Sequence, residues 1–79
     1  MSVGEALNRA REAAGLSLED VAAQTKIRPT ILAAMEADDF SVCGGDAYAR
    51  GQLRSIAQVV GLDPMDVVAL YDADYGSGG

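Results

Sequence analysis

The sequence predicts an all-α domain of five short helices, with a helix-turn-helix (phage-repressor-like) pair within it. Three observations predict this fold class. Helix start and stop signals recur five times along the 79 residues. Apolar residues follow helical spacing between those signals, and no segment shows the alternation of a convincing strand. Two of the helices are short and joined by a tight turn, as in a helix-turn-helix. An ordinary αα-hairpin is the alternative for that pair.

Serine caps predict the start of the first two helices. Ser2 is followed three residues later by Glu5, which is a capping-box pattern, and Gly15 is a natural stop for the first helix. Ser17 occupies the N-cap position of the second helix, with acids in its first turn and a hydrophobic staple between Leu16 and Val21. We therefore expect two helices separated by a very short connection.

Proline punctuates the second and third helices. The residue before a proline avoids the α region, whereas proline itself suits the first helical turn, so the third helix is predicted to begin at Pro29. It should end in the acidic segment 36–39, before a loop over residues 40–45. The inner faces of the helix-turn-helix pair are predicted to consist of Leu18, Val21, Ala22, Ile27, Ile31, Leu32 and Met35.

The last two helices show the same signals. Asp46 is predicted to cap the fourth helix, which should end at Gly61, and Asp63 with Pro64 begins the fifth. Their inward positions are predicted to be Ala49, Leu53, Ile56 and Val60 in the fourth helix, and Val67, Leu70 and Tyr71 in the fifth. Residues 1–75 then form one helix-turn-helix domain, and residues 76–79 form a flexible, linker-like tail.

Gly51 in the middle of the fourth helix needs an explanation. Glycine there costs roughly 1 kcal/mol of helix stability relative to alanine. We expect another backbone to approach it closely, in the helix-turn-helix pair, and a contact with a partner is the alternative. Tyr48, Gly51, Gln52 and Ser55 form a stripe separate from the buried one. Tyr48 is either a half-buried ring whose hydroxyl reaches water or an anchor for a partner.

Two arginines lie on the same helix as that stripe. Arg50 and Arg54 are one turn apart and are the only cations after residue 28. They are expected either to pair with Asp46 or Asp39 as surface ion pairs, or to face an acidic partner.

The composition argues against a metal site, a disulfide and a catalytic site. The chain has no histidine and one cysteine, so a metal site, a cofactor and an intramolecular disulfide are not expected. Cys43 lies in the predicted loop with no obvious base beside it, and a catalytic role is not expected. No phosphate-binding glycine loop and no signal peptide is recognisable. The sequence therefore predicts a non-enzymatic, cytoplasmic domain.

The distribution of charge argues against DNA as the main partner. The formal net charge is −6, and the acidic excess lies wholly in residues 36–79, because four cations and four acids cancel in residues 1–35. The helix expected to read DNA exposes only Lys26, Arg28 and Thr30 as phosphate-binding candidates, followed by two alanines that carry no donor. Sequence-specific DNA binding is kept as a weak alternative.

Two sequence blocks carry a family resemblance. GEALNRAREAAGLSLEDVAAQTKIRPTILAAMEADDF is shared in outline with phage-repressor-type domains, and DAYARGQLRSIAQVVGLDP is more specific. From Gly4 to about Asp72 the chain resembles the N-terminal cytoplasmic helix-turn-helix domain of RodZ-like bacterial cell-shape proteins.

The resemblance implies an adaptor that binds the actin-like filament protein MreB in cell-shape and cell-wall morphogenesis. It also implies a membrane-spanning helix beyond this chain that anchors the full-length protein in the inner membrane. Some bacteria have RodZ-like proteins without that filament, and another morphogenetic partner is then implied. Matching positions place the family's aromatic contacts at Tyr48 and Gln52, where Gln52 departs from the frequent aromatic residue. The predicted partner-binding residues are Tyr48, Arg50, Gln52, Arg54 and Ser55.

The alternative is a small Xre-type transcriptional regulator that uses Lys26, Arg28 and Thr30 on DNA. The rest of the gene discriminates between the two. An adaptor of this family should continue into a spanning helix and an extracytoplasmic domain, whereas a regulator should stop near residue 79.

Overall fold

The computed structural model describes residues 1–75, and the predicted tail 76–79 lies outside the described residues. Five α-helices follow one another: α1 Val3–Ala13, α2 Leu18–Thr25, α3 Pro29–Glu36, α4 Asp46–Val60 and α5 Pro64–Asp74. A single turn of 3₁₀-helix, Ser41–Cys43, lies within the segment predicted as a loop. The all-α class and the five helices are confirmed. Within residues 1–75, no helix combines the length and apolar character needed to cross a membrane.

The predicted N-terminal caps of α1 and α2 form complete capping boxes. Ser17 Oγ accepts the Asp20 N–H at 3.0 Å, and Asp20 Oδ2 accepts the Ser17 N–H at 2.9 Å. The Ser17 N–H, with a smaller effect from the Ser17 side chain, favours the ionised Asp20 carboxylate and lowers the pKa of Asp20 below its ordinary value. Ser2 and Glu5 form the same arrangement at the start of α1. Each of these caps is formed by residues three positions apart in the sequence.

The core is formed by the inner faces of all five helices. Leu53 of α4 is fully buried, and the core cluster to which it belongs contains residues from all five helices. The predicted stripe of α4 is buried, together with Ala57, and Val67 and Tyr71 bring α5 against it. The buried hydrophobic residues are Val3, Leu7, Val21, Leu32, Met35, Cys43, Ala49, Leu53, Ile56, Ala57, Val60, Val67 and Tyr71.

An ion pair joins α1 to the end of α3. Arg11 Nε lies 2.7 Å from Glu36 Oε2, and each side chain keeps only about 15% of its surface exposed. A second Arg11 nitrogen donates to the Leu16 carbonyl at 2.9 Å, and Asn8 Nδ2 donates to Glu36 Oε1 at 2.8 Å. The Glu36 carboxylate raises the pKa of the Arg11 guanidinium. The acidic end of α3 is therefore a packed contact with α1.

The close glycine contact of the fold occurs at Gly4. A Cβ on Gly4 would lie 2.5 Å from the carbonyl oxygen of Glu36 and 2.7 Å from that of Met35. The Gly4 N–H donates to Asp38 Oδ1 at 2.8 Å, so the start of α1 is bonded to the segment that follows α3. Glycine at this position allows α1 and α3 to approach each other.

Candidate functional site

A groove runs along α4 where the helix passes the turn between α2 and α3. Its volume is about 250 Å³. The floor and one wall come from α4, and the other wall comes from the end of α2 and the turn. The lining residues are Thr25, Ile27, Ala47, Tyr48, Gly51, Gln52 and Ser55. The stripe predicted from the sequence is therefore one side of a concave surface, which we call the α4 groove.

Tyr48 is the large apolar side chain of the α4 groove that is most open to solvent. It is 68% exposed and sits in the first turn of α4. Its ring lies near Gly44, where a Cβ would be 3.7 Å from Tyr48 Cδ2. A tyrosine ring has a large apolar surface that gains free energy on burial. Of the two interpretations of Tyr48, the exposure excludes the half-buried one.

Gly51 does not have the internal contact expected of it. In residues 1–75, nothing outside its own helix backbone lies within 4 Å of where a Cβ would stand. The prediction that the helix-turn-helix pair packs closely against Gly51 is wrong. The α2–α3 turn stands across the groove, with Thr25 and Ile27 facing it, and leaves space above the glycine. The absent side chain makes the groove deeper.

Two polar groups in the α4 groove differ in their hydrogen bonding. The Ser55 hydroxyl donates to the Gly51 carbonyl at 3.3 Å, one turn back along the helix. Gln52 Oε1 is buried and has no hydrogen-bond partner among the described residues. An unpaired buried acceptor costs free energy that a donor from a bound molecule recovers. Gln52 therefore places an unpaired acceptor in the groove wall, and that oxygen is itself buried.

The two arginines of α4 lie outside the groove lining. Arg50 Nε donates to Asp72 Oδ1 at 2.8 Å, so the prediction of Asp46 or Asp39 as its ion-pair partner is wrong. The packing of α5 against α4 brings Asp72 beside Arg50, which no local pattern indicates. The Asp72 carboxylate raises the pKa of Arg50. Arg54 is exposed and has no ion-pair partner within residues 1–75.

Asp46 does not cap α4. Gly45 occupies the N-cap position, and Asp46 is the first helical residue. Its carboxylate accepts the Tyr71 hydroxyl proton at 2.8 Å, in a contact between α4 and α5. Burial, followed by this hydrogen bond, raises the pKa of Tyr71 to about 12. The predicted capping role was wrong because a tertiary partner takes the carboxylate.

The candidate DNA-binding residues surround the turn of the helix-turn-helix. Lys26 ends α2 in the left-handed conformation, with φ 66°, and Arg28 is the N-cap of α3. Both are exposed, as is Thr30. Lys26 and Arg28 border a shallow groove of about 400 Å³ whose other lining residues are Glu19, Ala22, Ala23, Ile27 and Pro29. Lys26 and Arg28 share this surface with the carboxylate of Glu19, whereas Thr30 does not line it.

Cys43 is more buried than its predicted loop position suggests. It is 5% exposed, in the 3₁₀ turn and part of the core. Burial, with a smaller effect from Asp39, raises the pKa of the Cys43 thiol. A protonated, buried thiol is a poor nucleophile. Among residues 1–75, no three histidine, cysteine, aspartate or glutamate side chains are grouped closely enough to hold a metal ion.

Comparison with known protein families gives a match over most of the chain. Residues 6–67 match the model of a family described as a helix-turn-helix domain. The chain belongs to this helix-turn-helix family. The predicted helix-turn-helix pair, rather than an ordinary αα-hairpin, is thereby confirmed.

Two curated proteins are similar in sequence to this helix-turn-helix domain. The cytoskeleton protein RodZ of Streptococcus pneumoniae is 40% identical over 72 residues, which is 91% of this chain and 26% of that protein. An uncharacterized protein of Haemophilus influenzae is 40% identical over 63 residues, 78% of this chain and 21% of that protein. The chain thus spans about a quarter of the length of these relatives. The predicted resemblance to RodZ-like domains is confirmed.

A solved structure has the same fold. YmfM of Staphylococcus aureus, described as a putative DNA-binding membrane protein, superposes with a TM-score of 0.83 at 29% identity. The superposition covers 92% of this chain and 89% of that one. The five-helix helix-turn-helix architecture is therefore shared nearly end to end.

Sequence reasoning found one side of the α4 groove and missed the other. Tyr48, Gln52 and Ser55 line it, whereas Thr25 and Ile27 had not been assigned to it. Helical spacing identifies residues on one face of α4, but no local signal shows which turn of the chain lies opposite.

Proposed function

We propose that this domain is a non-enzymatic adaptor that binds an actin-like cytoskeletal protein of the MreB type, or another morphogenetic protein, through the α4 groove. The observation that carries the proposal is the pairing of Tyr48, 68% exposed, with a glycine whose missing side chain opens the groove beside it. Aromatic anchors next to concave surfaces are frequent hot spots of protein interfaces. Gln52 Oε1 adds an unpaired acceptor to the same wall.

The similarity to the cytoskeleton protein RodZ supports this class of partner. Because the chain spans about a quarter of that relative, we further propose that it is the cytoplasmic part of a longer protein. A membrane-spanning helix beyond residue 79 would then anchor it in the inner membrane. The groove would face the cytoplasm and link the partner to the membrane.

Arg54 and Arg50 are proposed to contribute at the edge of the interface. Arg54 is exposed, and Arg50, one turn before it, is partly buried against α5. Arg50 already pairs with Asp72, so its transfer to an acidic partner would break one ion pair to form another. Exposed ion pairs contribute about 1 kcal/mol or less. We therefore expect Tyr48 to dominate the affinity.

The experiment is an NMR titration of the isotopically labelled domain with the actin-like protein of the same organism. Shifts should concentrate at Tyr48, Gln52 and Ser55, with Thr25 and Ile27 responding across the groove. Shifts restricted to another face would refute this location of the site. Random duplex DNA at physiological salt is titrated in parallel.

Tyr48→Ala should weaken partner binding at least tenfold, which corresponds to about 1.4 kcal/mol. The matched control is Met65→Ala, because Met65 is 80% exposed at the start of α5, outside the groove. The control should bind like the unchanged domain. Equal loss in both variants would contradict a site at Tyr48, and thermal unfolding of both separates lost binding from lost folding.

DNA binding is the second candidate, favoured by the solved structure of a putative DNA-binding protein with this fold. Lys26 and Arg28 are exposed at the α2–α3 turn and have no ion-pair partner within residues 1–75. Each phosphate contact contributes a slope of about −0.9 to the dependence of log K on log salt concentration. Two contacts would give a slope near −2. Binding with a much steeper slope, lost on substitution of Lys26, Arg28 or Thr30, would favour the regulator.

A further inference from the structure

A second cavity lies on the other flank of α4, away from the α4 groove. It is formed where the segment after α3 and the start of α4 meet the end of α5, and its volume is about 440 Å³. That volume is within the range of small-molecule and side-chain pockets. The lining residues are Phe40, Ser41, Gly45, Asp46, Tyr71 and Tyr75. We call this cavity the aromatic pocket.

Three aromatic rings form its apolar surface. The centroid of the Phe40 ring lies 5.2 Å from that of Tyr71 and 5.1 Å from that of Tyr75, and the two tyrosine rings stack at 5.4 Å. Tyr71 is buried and Tyr75 is 40% exposed, so the cluster extends from the core to the surface. The faces of such rings attract cations, most strongly where water is partly excluded.

Arg50 shows that a cation is accommodated beside these rings. Its guanidinium carbon lies 5.8 Å from the centroid of the Tyr71 ring while its Nε contacts Asp72. Arg50 does not line the aromatic pocket, however, and neither does any other lysine or arginine of residues 1–75. The aromatic pocket thus also combines aromatic rings with a carboxylate, but no lysine or arginine of residues 1–75 lines it.

The polar side of the pocket is acidic. The Asp46 carboxylate lines it and accepts the Tyr71 hydroxyl. Asp39 accepts both the N–H and the hydroxyl of Ser41, another lining residue, and these bonds lower the pKa of Asp39. The acidic excess of the chain lies in residues 36–79, the part that forms this pocket.

We propose that the aromatic pocket binds an arginine side chain from a basic segment of a partner protein. The guanidinium stacks on the exposed ring of Tyr75 and forms a charge-assisted hydrogen bond with the free Asp46 oxygen, Oδ2. Arginine fits better than lysine because a planar guanidinium stacks on a ring and binds a carboxylate with defined geometry. Polyanions such as nucleic acid or an anionic membrane surface are excluded as occupants by the carboxylates.

The test is an NMR titration of the labelled domain with an acetylated, amidated peptide Gly-Arg-Gly-Arg-Gly. The control peptide carries citrulline, which keeps the shape of arginine and removes its charge. Shifts should concentrate at Ser41, Asp46, Tyr71 and Tyr75, and the citrulline peptide should bind at least about tenfold more weakly. Equal binding of both peptides, or shifts spread over all acidic residues, would overturn the proposal.

Two variants test the pocket residues directly. Tyr75→Ala removes the exposed ring at the end of α5, and Asp46→Asn keeps an oxygen that accepts the Tyr71 hydroxyl while removing the charge. Each variant should bind the arginine peptide about fivefold more weakly, or weaker still. Met65→Ala, at the exposed start of α5 and outside both the aromatic pocket and the α4 groove, is the matched control and should leave the peptide affinity unchanged. Unchanged affinity in both pocket variants refutes the site whatever the outcome for the cytoskeletal partner.

Discussion

Substitution of two glycines by alanine should change stability in opposite directions. Gly4 and Gly51 are both helical, yet a Cβ on Gly4 would stand 2.5 Å from a backbone oxygen, whereas one on Gly51 meets nothing within 4 Å. Ordinary contact begins near 3.4 Å, so Gly4→Ala must push α1 and α3 apart by most of an ångström. Gly51→Ala displaces nothing and removes conformational freedom from the unfolded chain.

The magnitudes follow from these geometries. Overpacking of this kind costs about 1 to 3 kcal/mol. We expect the upper part of that range for Gly4→Ala because the displaced helices also share the Gly4 N–H bond to Asp38 and the pair of Arg11 with Glu36. Gly51→Ala should stabilise by about 0.4 to 1 kcal/mol. In a domain of this size 1 kcal/mol moves Tm by roughly 4 to 8 °C, so the two variants should differ by more than 10 °C.

The assay is thermal and urea unfolding followed by circular dichroism at 222 nm. Urea gives the free energy of unfolding together with its slope, which shows whether the unfolded state has changed. A Gly4→Ala variant as stable as the original, or a Gly51→Ala variant less stable than it, would refute this account of the two positions. Gly51→Ala also places a methyl group in the α4 groove, so it should bind the cytoskeletal partner more weakly while unfolding at a higher temperature.

Three further predictions concern contacts between and within helices. Arg11→Met should lower the free energy of unfolding by roughly 3 kcal/mol, because it leaves the largely buried Glu36 carboxylate without its ion pair. Urea unfolding measures this, and a change below about 1 kcal/mol would contradict it. Ser17→Ala should cost about 1 kcal/mol through loss of a cap, again measured by urea unfolding. Because the folded state raises the pKa of Tyr71 to about 12, above the ordinary value of 10.0, its contribution to stability should be complete below pH 10 and decline as pH rises towards 12. Ionisation of the tyrosines can be followed by ultraviolet absorbance. In Tyr71→Phe the ionisation step near pH 12 should disappear, and disappearance of a step near pH 10 instead would refute the raised pKa of Tyr71.

Features decided by neighbouring residues could be predicted from the sequence. Ser17 with its capping box, Pro29 at the start of α3 and the left-handed Gly61 after α4 depend on interactions within a few residues of the chain. The buried stripe of α4 was predicted correctly because helical spacing fixes which side chains share a face.

Predictions that depended on distant parts of the chain were wrong. Gly51 was expected to be the glycine against which another backbone packs, and Gly4 was not considered. Gly4 has that role because the carbonyl oxygens at the end of α3 lie against it, and the sequence around either glycine does not show this. Asp72 was not recognised as the partner of Arg50, since 22 residues separate them. The aromatic pocket was missed for the same reason, although the spacing of Tyr71 and Tyr75 places both on one face of α5.

Ion pairs within the domain reduce the number of basic residues that could bind DNA. Arg11 belongs to a largely buried pair with Glu36, Arg9 lies 3.6 Å from Glu5, and Arg50 is paired with Asp72. Half of the six cations are thus already neutralised within the domain. Those remaining near the helix-turn-helix, Lys26 and Arg28, are too few to hold a phosphate backbone tightly, since affinity for DNA grows with the number of phosphates neutralised.

Two surface features beside α4 are of the kind that protein interfaces use. An exposed tyrosine stands beside a groove on one flank of α4, and an acidic pocket lined by three rings lies on the other. Neither feature gains from a polyanion, and aromatic anchors beside concave surfaces are what protein interfaces use. The buried stripe of α4 is part of the core, and its opposite side faces solvent. We therefore propose that α4 and its neighbours, rather than the usual recognition helix, carry the side chains that select a partner.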